Sequence, residues 1–189
     1  MGGIQRDGTK VDTVDVAVLM VTTFDALSID GIVKALSNLG APSWRPVTDV
    51  VAGAIDRLVG QNLIAPLTSP SESPVHETSV RLASTPAGRH RLPGLLRALP
   101  LPAYGSDITY RLKVMGLDLL DRQDREYQIS ELAGHWQGVL ALWERAQERC
   151  PCMQPTVRLW MKRNVALARM EIDWLQSDCI QPRSKMSVE

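Results

Sequence analysis

No run of 18 or more apolar residues occurs in this 189-residue chain, so no segment has the length that a membrane-spanning helix needs. Its opening, MGGIQRDGTK, lacks the apolar stretch of a secretory signal, so the expected location is cytoplasmic, with no membrane partner. Cysteine is scarce, and three (Cys150, Cys152, Cys179) is an odd number; this argues against a disulfide framework and suits a reducing compartment. There is no excess of either charge, because 21 basic and 21 acidic side chains cancel. Any nucleic-acid surface must therefore be a local one.

Chemistry-bearing motifs are missing too. There is neither a GxxxxGK[ST] phosphate loop nor a GxGxxG. Cys150-Pro-Cys152 puts two thiols one residue apart with no neighbouring His or second Cys pair, so no metal is expected there; oxidation of the pair stays open. His76, His90 and His135 fall in three different contexts, and no nucleophile, acid and base set stands out. The expectation is a non-enzyme without a cofactor.

What the chain does have is helical periodicity and one clear helix start. With 44% hydrophobic residues it can build one or two small domains with real cores. A first helix is expected from about Thr13 to Phe24, buried on most sides. A second is capped by Ser28, with Ile29, Ile32, Val33, Leu36 and Leu39 on one face and Gly40 as its stop. After GAPSWRP, Pro46 is placed to open a third helix whose Val47, Val50, Val51, Ala54, Ile55, Leu58 and Val59 point inward. A polar loop, SPSESPVHET, separates strands expected at Ile64 to Leu67 and Ser79 to Ala83. Thr85 then caps a helix with Pro86 at its first position, and Pro93-Gly94 is expected to interrupt it. Three helices, a hairpin and a further helix are the order of a winged helix-turn-helix.

Two acid-free stretches flank that motif. Gly31 to Thr48 carries Lys34 and Arg45, and Thr78 to Ser106 carries Arg81, Arg89, Arg91 and Arg97. A recognition helix reads bases with the residues of its first turns, which selects Arg45, Thr48, Asp49 and Ala52. Lys34, Arg81 and Arg89 are candidates for phosphate contacts. The bland alternative is a solvent face that touches nothing.

The triplet Asn62-Leu63-Ile64, the polar wing, and TPAGR at 85 to 89 followed by Leu92 resemble the winged-helix domain of PadR-family regulators. The similarity of 158 to 175, with Glu171-Ile172-Asp173-Trp174-Leu175 the nearest match, extends this to the AphA-like branch. The resemblance implies a transcriptional regulator with Val47 to Asn62 as recognition helix, double-stranded DNA as partner, and a small-molecule effector of unknown identity. Two positions depart from the pattern: Ala52-Gly53 replaces a Tyr-Pro pair, and Ser84 replaces a Leu.

The carboxy-terminal half supplies the helical arm such regulators carry. Ile129, Leu132, Trp136, Val139, Trp143 and Ala146 recur at spacings of three and four, the seam of a coiled coil. The last helix has two seams, one through Met161, Val165, Ala168, Ile172 and Leu175, the other through Trp160, Leu167 and Trp174. A hairpin covers only one of them, so the second is expected either to dimerise or to pack on the amino-terminal domain; the residues selected for dimerisation are Ile129, Leu132, Trp136, Val139, Trp143, Trp160, Leu167 and Trp174. The expected fold is mainly α with a small β wing: a DNA-binding domain at 12–102, a helical dimerisation domain at 103–180, and tails at 1–11 and 181–189. Ile108 to Leu120 is expected as a connecting helix, and Gly134 and Gly138 as close helix contacts. The leading function is a homodimeric regulator on a pseudo-palindromic operator. The alternative is a winged-helix protein-interaction module that has lost DNA binding, favoured by Ala52-Gly53, Asp49, Asp56 and the zero net charge.

Overall fold

In the computed structural model, the structure describes residues 12–39, 44–67, 80–103, 107–149 and 154–177. Gly40, the wing tip with His76, Ser79, the three cysteines and both expected tails lie outside the described residues. The chain divides into two compact units, Met1–Pro100 and Leu101–Glu189.

The first unit is a winged helix-turn-helix. It runs α1 (Thr13–Phe24), α2 (Ile29–Leu39), α3 (Thr48–Gly60), β1 (Ile64–Pro66), β2 (Leu82–Ser84) and α4 (Pro86–Ala98). α1 begins where the Asp12 carboxylate accepts the Val14 N–H at 2.8 Å. Val16 to Thr22 are buried without a break, because α2, α3, α4 and β2 all pack on this helix. Thr22 is tolerated there because its hydroxyl donates to the Val18 and Leu19 carbonyls.

Ser28 caps α2 through a 3.1 Å bond from the Gly31 N–H. β1 and β2 pair antiparallel, Ile64 opposite Ser84 and Pro66 opposite Leu82. The other edge of β2 is closed by Leu27, whose N–H and carbonyl both bond to Leu82. Pro66, which has no N–H to give, sits in an edge strand where none is needed.

α4 starts as expected. Thr85 Oγ1 accepts the Gly88 N–H at 3.0 Å, and Pro86 follows at the first helical position. The Thr85 N–H and hydroxyl point back to the Leu63 carbonyl, at 2.9 and 3.2 Å, and the hydroxyl also reaches the Asn62 carbonyl. This stitches the end of the α3 turn to the start of α4. Asn62 itself has φ 57°, a left-handed geometry that Asn tolerates better than most residues.

Four expectations need correction. On α3 only Val51, Ala54, Ile55 and Leu58 are buried; Val47 (63% exposed), Val50 and Val59 face solvent. The inward arc is narrower than the run of apolar residues, since one neighbouring wall covers about 100° of a helix. α3 opens at Thr48 with Val47 as its cap residue, two positions after Pro46. Pro93 lies inside α4 and the helix continues to Ala98; the cost is the bond its absent N–H would have made to the Arg89 carbonyl. Among the described residues, a side chain built at Gly134 or Gly138 meets nothing within 4 Å, so neither is a close contact there.

The second unit contains α5 (Ile108–Met115), which ends in a 3-10 turn at Gly116–Leu119, then α6 (Arg122–Arg149) and α7 (Pro155–Ser177). The expected connecting helix is thus a helix and a tighter turn. Tyr110, Leu117, Ile129, Leu132, Trp136, Val139, Ala168 and Leu175 form the core. Two polar bonds cross it: Tyr110 OH donates to Glu171 Oε2 at 2.9 Å, and Lys113 Nζ donates to Glu131 Oε2 at 2.7 Å. The Lys113 side chain has no exposed surface. Burying an ammonium is tolerable only against a bonded carboxylate.

Candidate nucleic-acid interface

The first turn of α3 stands out from the first unit because the buried arc Val51, Ala54, Ile55 and Leu58 occupies the opposite side. Arg45, Thr48 and Asp49 are exposed there, and Ala52 is half-buried one turn on. Asp49 also has a structural reason for its place, since a carboxylate in a first turn complements the helix dipole. Further along, the outward stripe continues through Gly53 to Asp56, at spacings of four and three. Its acids are the feature least suited to a phosphate surface.

Arg57 is taken out of that surface. Its guanidinium bonds both Asp12 and Asp15 across the start of α1, Nη2 to Asp12 Oδ2 at 3.2 Å and Nε to Asp15 Oδ2 at 3.1 Å. The hydrogen bond to Asp15, with the charges of Asp15 and Asp12 behind it, holds its pKa above the already high arginine value. Sequence spacing gave no signal for this clamp, because its partners are more than forty residues away.

The cationic candidates fall into two kinds. Lys34 is an exposed side chain on α2. Arg81 and Arg89 are exposed but oriented by bonds to backbone carbonyls. Arg81 Nε donates to the Ala26 carbonyl at 2.8 Å with Asp25 at 3.4 Å, and Arg89 Nη1 donates to the Ser84 carbonyl at 2.7 Å. A guanidinium has five N–H donors, so these bonds orient it and leave donors for an anion. They flank β2, one on each side. On α4, His90, Arg91 and Arg97 are exposed as well, and no acid lies in the described part of this segment before Asp107.

The residues selected for dimerisation separate into two groups. Ile129, Leu132, Trp136 and Val139 are spent in the core of their own unit, where Trp136 packs edge-on against Tyr110 with its Nε1 buried and unbonded. Trp143 is half-buried and meets Trp160 edge to face, ring centres 4.9 Å apart. Trp160 remains 51% and Trp174 38% exposed, with Leu167 half-buried between them. Among the described residues, no group of three or more His, Cys, Asp or Glu could hold a metal ion, and no helix is long and apolar enough to cross a membrane.

No family model matches the chain, and no curated protein does. Several solved structures overlap with it. Bacillus subtilis PadR in complex with operator DNA is 17% identical, with 89% of this chain and 98% of that one covered and a TM-score of 0.41. The Vibrio cholerae virulence activator AphA is 18% identical over 88% of this chain and 95% of its own, TM-score 0.35. A PadR-like transcriptional regulator from Bacillus cereus is 12% identical over 89% and 96%, TM-score 0.35. Overlaps at this level leave the case for function resting on this chain's own residues.

Proposed function

We propose that this chain is a homodimeric, DNA-binding transcriptional regulator of PadR type, acting in the cytoplasm on a pseudo-palindromic operator. The observation that carries the reading is the presentation of the first turn of α3 by a winged helix-turn-helix whose core is met by the opposite side of that helix, Val51, Ala54, Ile55 and Leu58. Residues 12–102 bind DNA and residues 103–180 hold the two copies together. Arg45 and Thr48 contact base edges or the adjoining phosphates, with Asp49 and Ala52 completing the reading set. Asp49 accepts from a cytosine amino group if it reads a base at all. Lys34, Arg81 and Arg89 neutralise phosphates and add affinity without sequence information. The exposed tryptophans of α7 supply the apolar surface for association. A small effector belongs to this reading through the family resemblance alone.

A second reading is favoured by one feature, the Asp49–Gly53–Asp56 stripe, and makes the first unit a protein-interaction module without DNA binding. Fluorescence anisotropy separates the two. The full chain is titrated against the DNA upstream of its own gene and against a scrambled duplex, each at low and moderate salt. A regulator prefers the upstream fragment and weakens steeply with salt, with a slope that tracks its phosphate contacts. Absence of binding at low salt rejects the first reading in favour of the second.

A further inference from the structure

We infer that α6 and α7, near the turn that joins them, hold a binding site for a small zwitterion of the amino-acid class, an ammonium and a carboxylate on a short carbon frame. A cavity of about 600 Å³ lies between the two helices there, within the size range of small-molecule sites. α6 lines it with Glu144, Gln147 and Glu148, at spacings of three and one, which places all three on one face of the helix. α7 contributes Lys162, Val165, Ala166 and Arg169, at spacings of three, one and three, again a single face.

The amide of Gln147 is the first sign of a ligand. Its Nε2 is buried and has no hydrogen-bond acceptor, an arrangement that folded chains rarely leave standing. The last torsion of a glutamine is soft, so a small turn brings this donor to an oxygen placed in the cavity.

The charges name the class of ligand. At one end of the lining they are already spent, because Arg169 Nη2 donates to Glu144 Oε1 at 2.8 Å across the two helices. Toward the turn, Glu148 and Lys162 are exposed, and among the described residues neither forms an ion pair. Lys162 lies two helical turns, about 10 Å, from Arg169 along α7, so it is clear of the Glu144 pair. The cavity thus offers one open cation, one open anion and one open amide donor. A ligand carboxylate is met by Lys162 and the Gln147 amide, and a ligand ammonium by Glu148. A carboxylate without an ammonium leaves Glu148 facing its own sign, and an amine without a carboxylate does the same to Lys162. Val165 and Ala166 supply apolar wall for the carbon frame.

The site lies within one unit of one copy, so neither DNA binding nor dimerisation enters its test. Saturation-transfer difference NMR on the full chain screens the L-amino acids of proteins, each at about 10 mM, and the tightest binder is then compared with its N-acetyl form, which lacks the ammonium, and its amide, which lacks the carboxylate. The expected result is a Kd of about 1 mM or below for at least one amino acid, weakened about tenfold or more in each derivative. Lys162→Met and Glu148→Gln, both at exposed positions, are each expected to weaken that binding about tenfold with an unchanged circular dichroism spectrum, and Gln147→Leu to weaken it as well. Binding by no amino acid overturns the inference. So does a derivative that binds as tightly as its parent, which makes the ligand a plain acid or a plain amine. Binding left unchanged by Lys162→Met or by Glu148→Gln puts the ligand elsewhere on the chain and overturns it too.

Discussion

Gly88→Ala is expected to unfold the first unit far more readily than the size of one methyl group suggests. A Cβ built at Gly88 falls 2.0 Å from the Leu63 carbonyl oxygen, 3.0 Å from its carbon and 3.1 Å from Leu19 Cδ1. Ordinary carbon–oxygen contacts begin at about 3.3 Å, so backbone must move by more than an ångström. The same carbonyl accepts from the Thr85 N–H and hydroxyl, and shifting it loosens the cap of α4. Overpacking costs about 1–3 kcal/mol and each loosened hydrogen bond about 1 kcal/mol, against a gain of under about 1 kcal/mol in helix propensity. The net loss is about 2–4 kcal/mol, worth a fall of about 10 °C or more in the Tm of a unit of this size. Gly94, on the same helix, is the control. A Cβ there meets nothing within 4 Å, so Gly94→Ala is expected to stabilise by up to about 1 kcal/mol. Circular dichroism at 222 nm through a urea titration reads both variants. A Gly88→Ala midpoint indistinguishable from that of the parent chain refutes the account of the α3–α4 junction.

Three charged side chains give further expectations. Glu131→Gln removes the carboxylate bonded to the buried Lys113 ammonium and should cost about 3–5 kcal/mol, whereas Lys113→Met, which removes the buried charge itself, should cost much less; urea midpoints of the two rank them. Arg57→Ala should cost under about 1 kcal/mol because Arg57 and Asp12 are both nearly half exposed, and its effect should shrink with added salt. Since the pKa of Arg57 is raised, its contribution persists at every pH below the arginine range, so stability difference curves for this variant should be flat from about pH 6 to 9. Arg45→Ala should weaken DNA binding and, if Arg45 sits on a phosphate, lower the salt slope by about 1; unchanged anisotropy curves remove it from the interface.

Much of the first unit could be read from local chemistry. α1 spans the expected Thr13–Phe24, and Thr85, Pro86 and Ser28 play their expected parts, because caps and buried stripes act over three or four residues. Errors arose where a distant neighbour decides. Val47, Val50 and Val59 are as apolar as Val51, and only the positions of α1, α2 and β1 against α3 determine which valine is covered. The Arg57 clamp and the burial of Lys113 depend on partners brought together by the fold, Asp12 and Asp15 in one case and Glu131 in the other. In the arm, periodicity separated the two rows of the last helix correctly, while four of the residues assigned to association, Ile129, Leu132, Trp136 and Val139, lie in the core of their own unit. A repeat of three and four marks an apolar face without naming the surface that meets it.

The concealed amine of Lys113 makes the arm a reporter on its own opening. Lysine acylating reagents reach Lys34 and Lys162, which are exposed, at once, but a side chain with no solvent-accessible surface reacts only during excursions that separate α5 from α6. The lag of Lys113 behind those two, read by mass spectrometry peptide by peptide, therefore measures how often the second unit breathes, without an engineered probe.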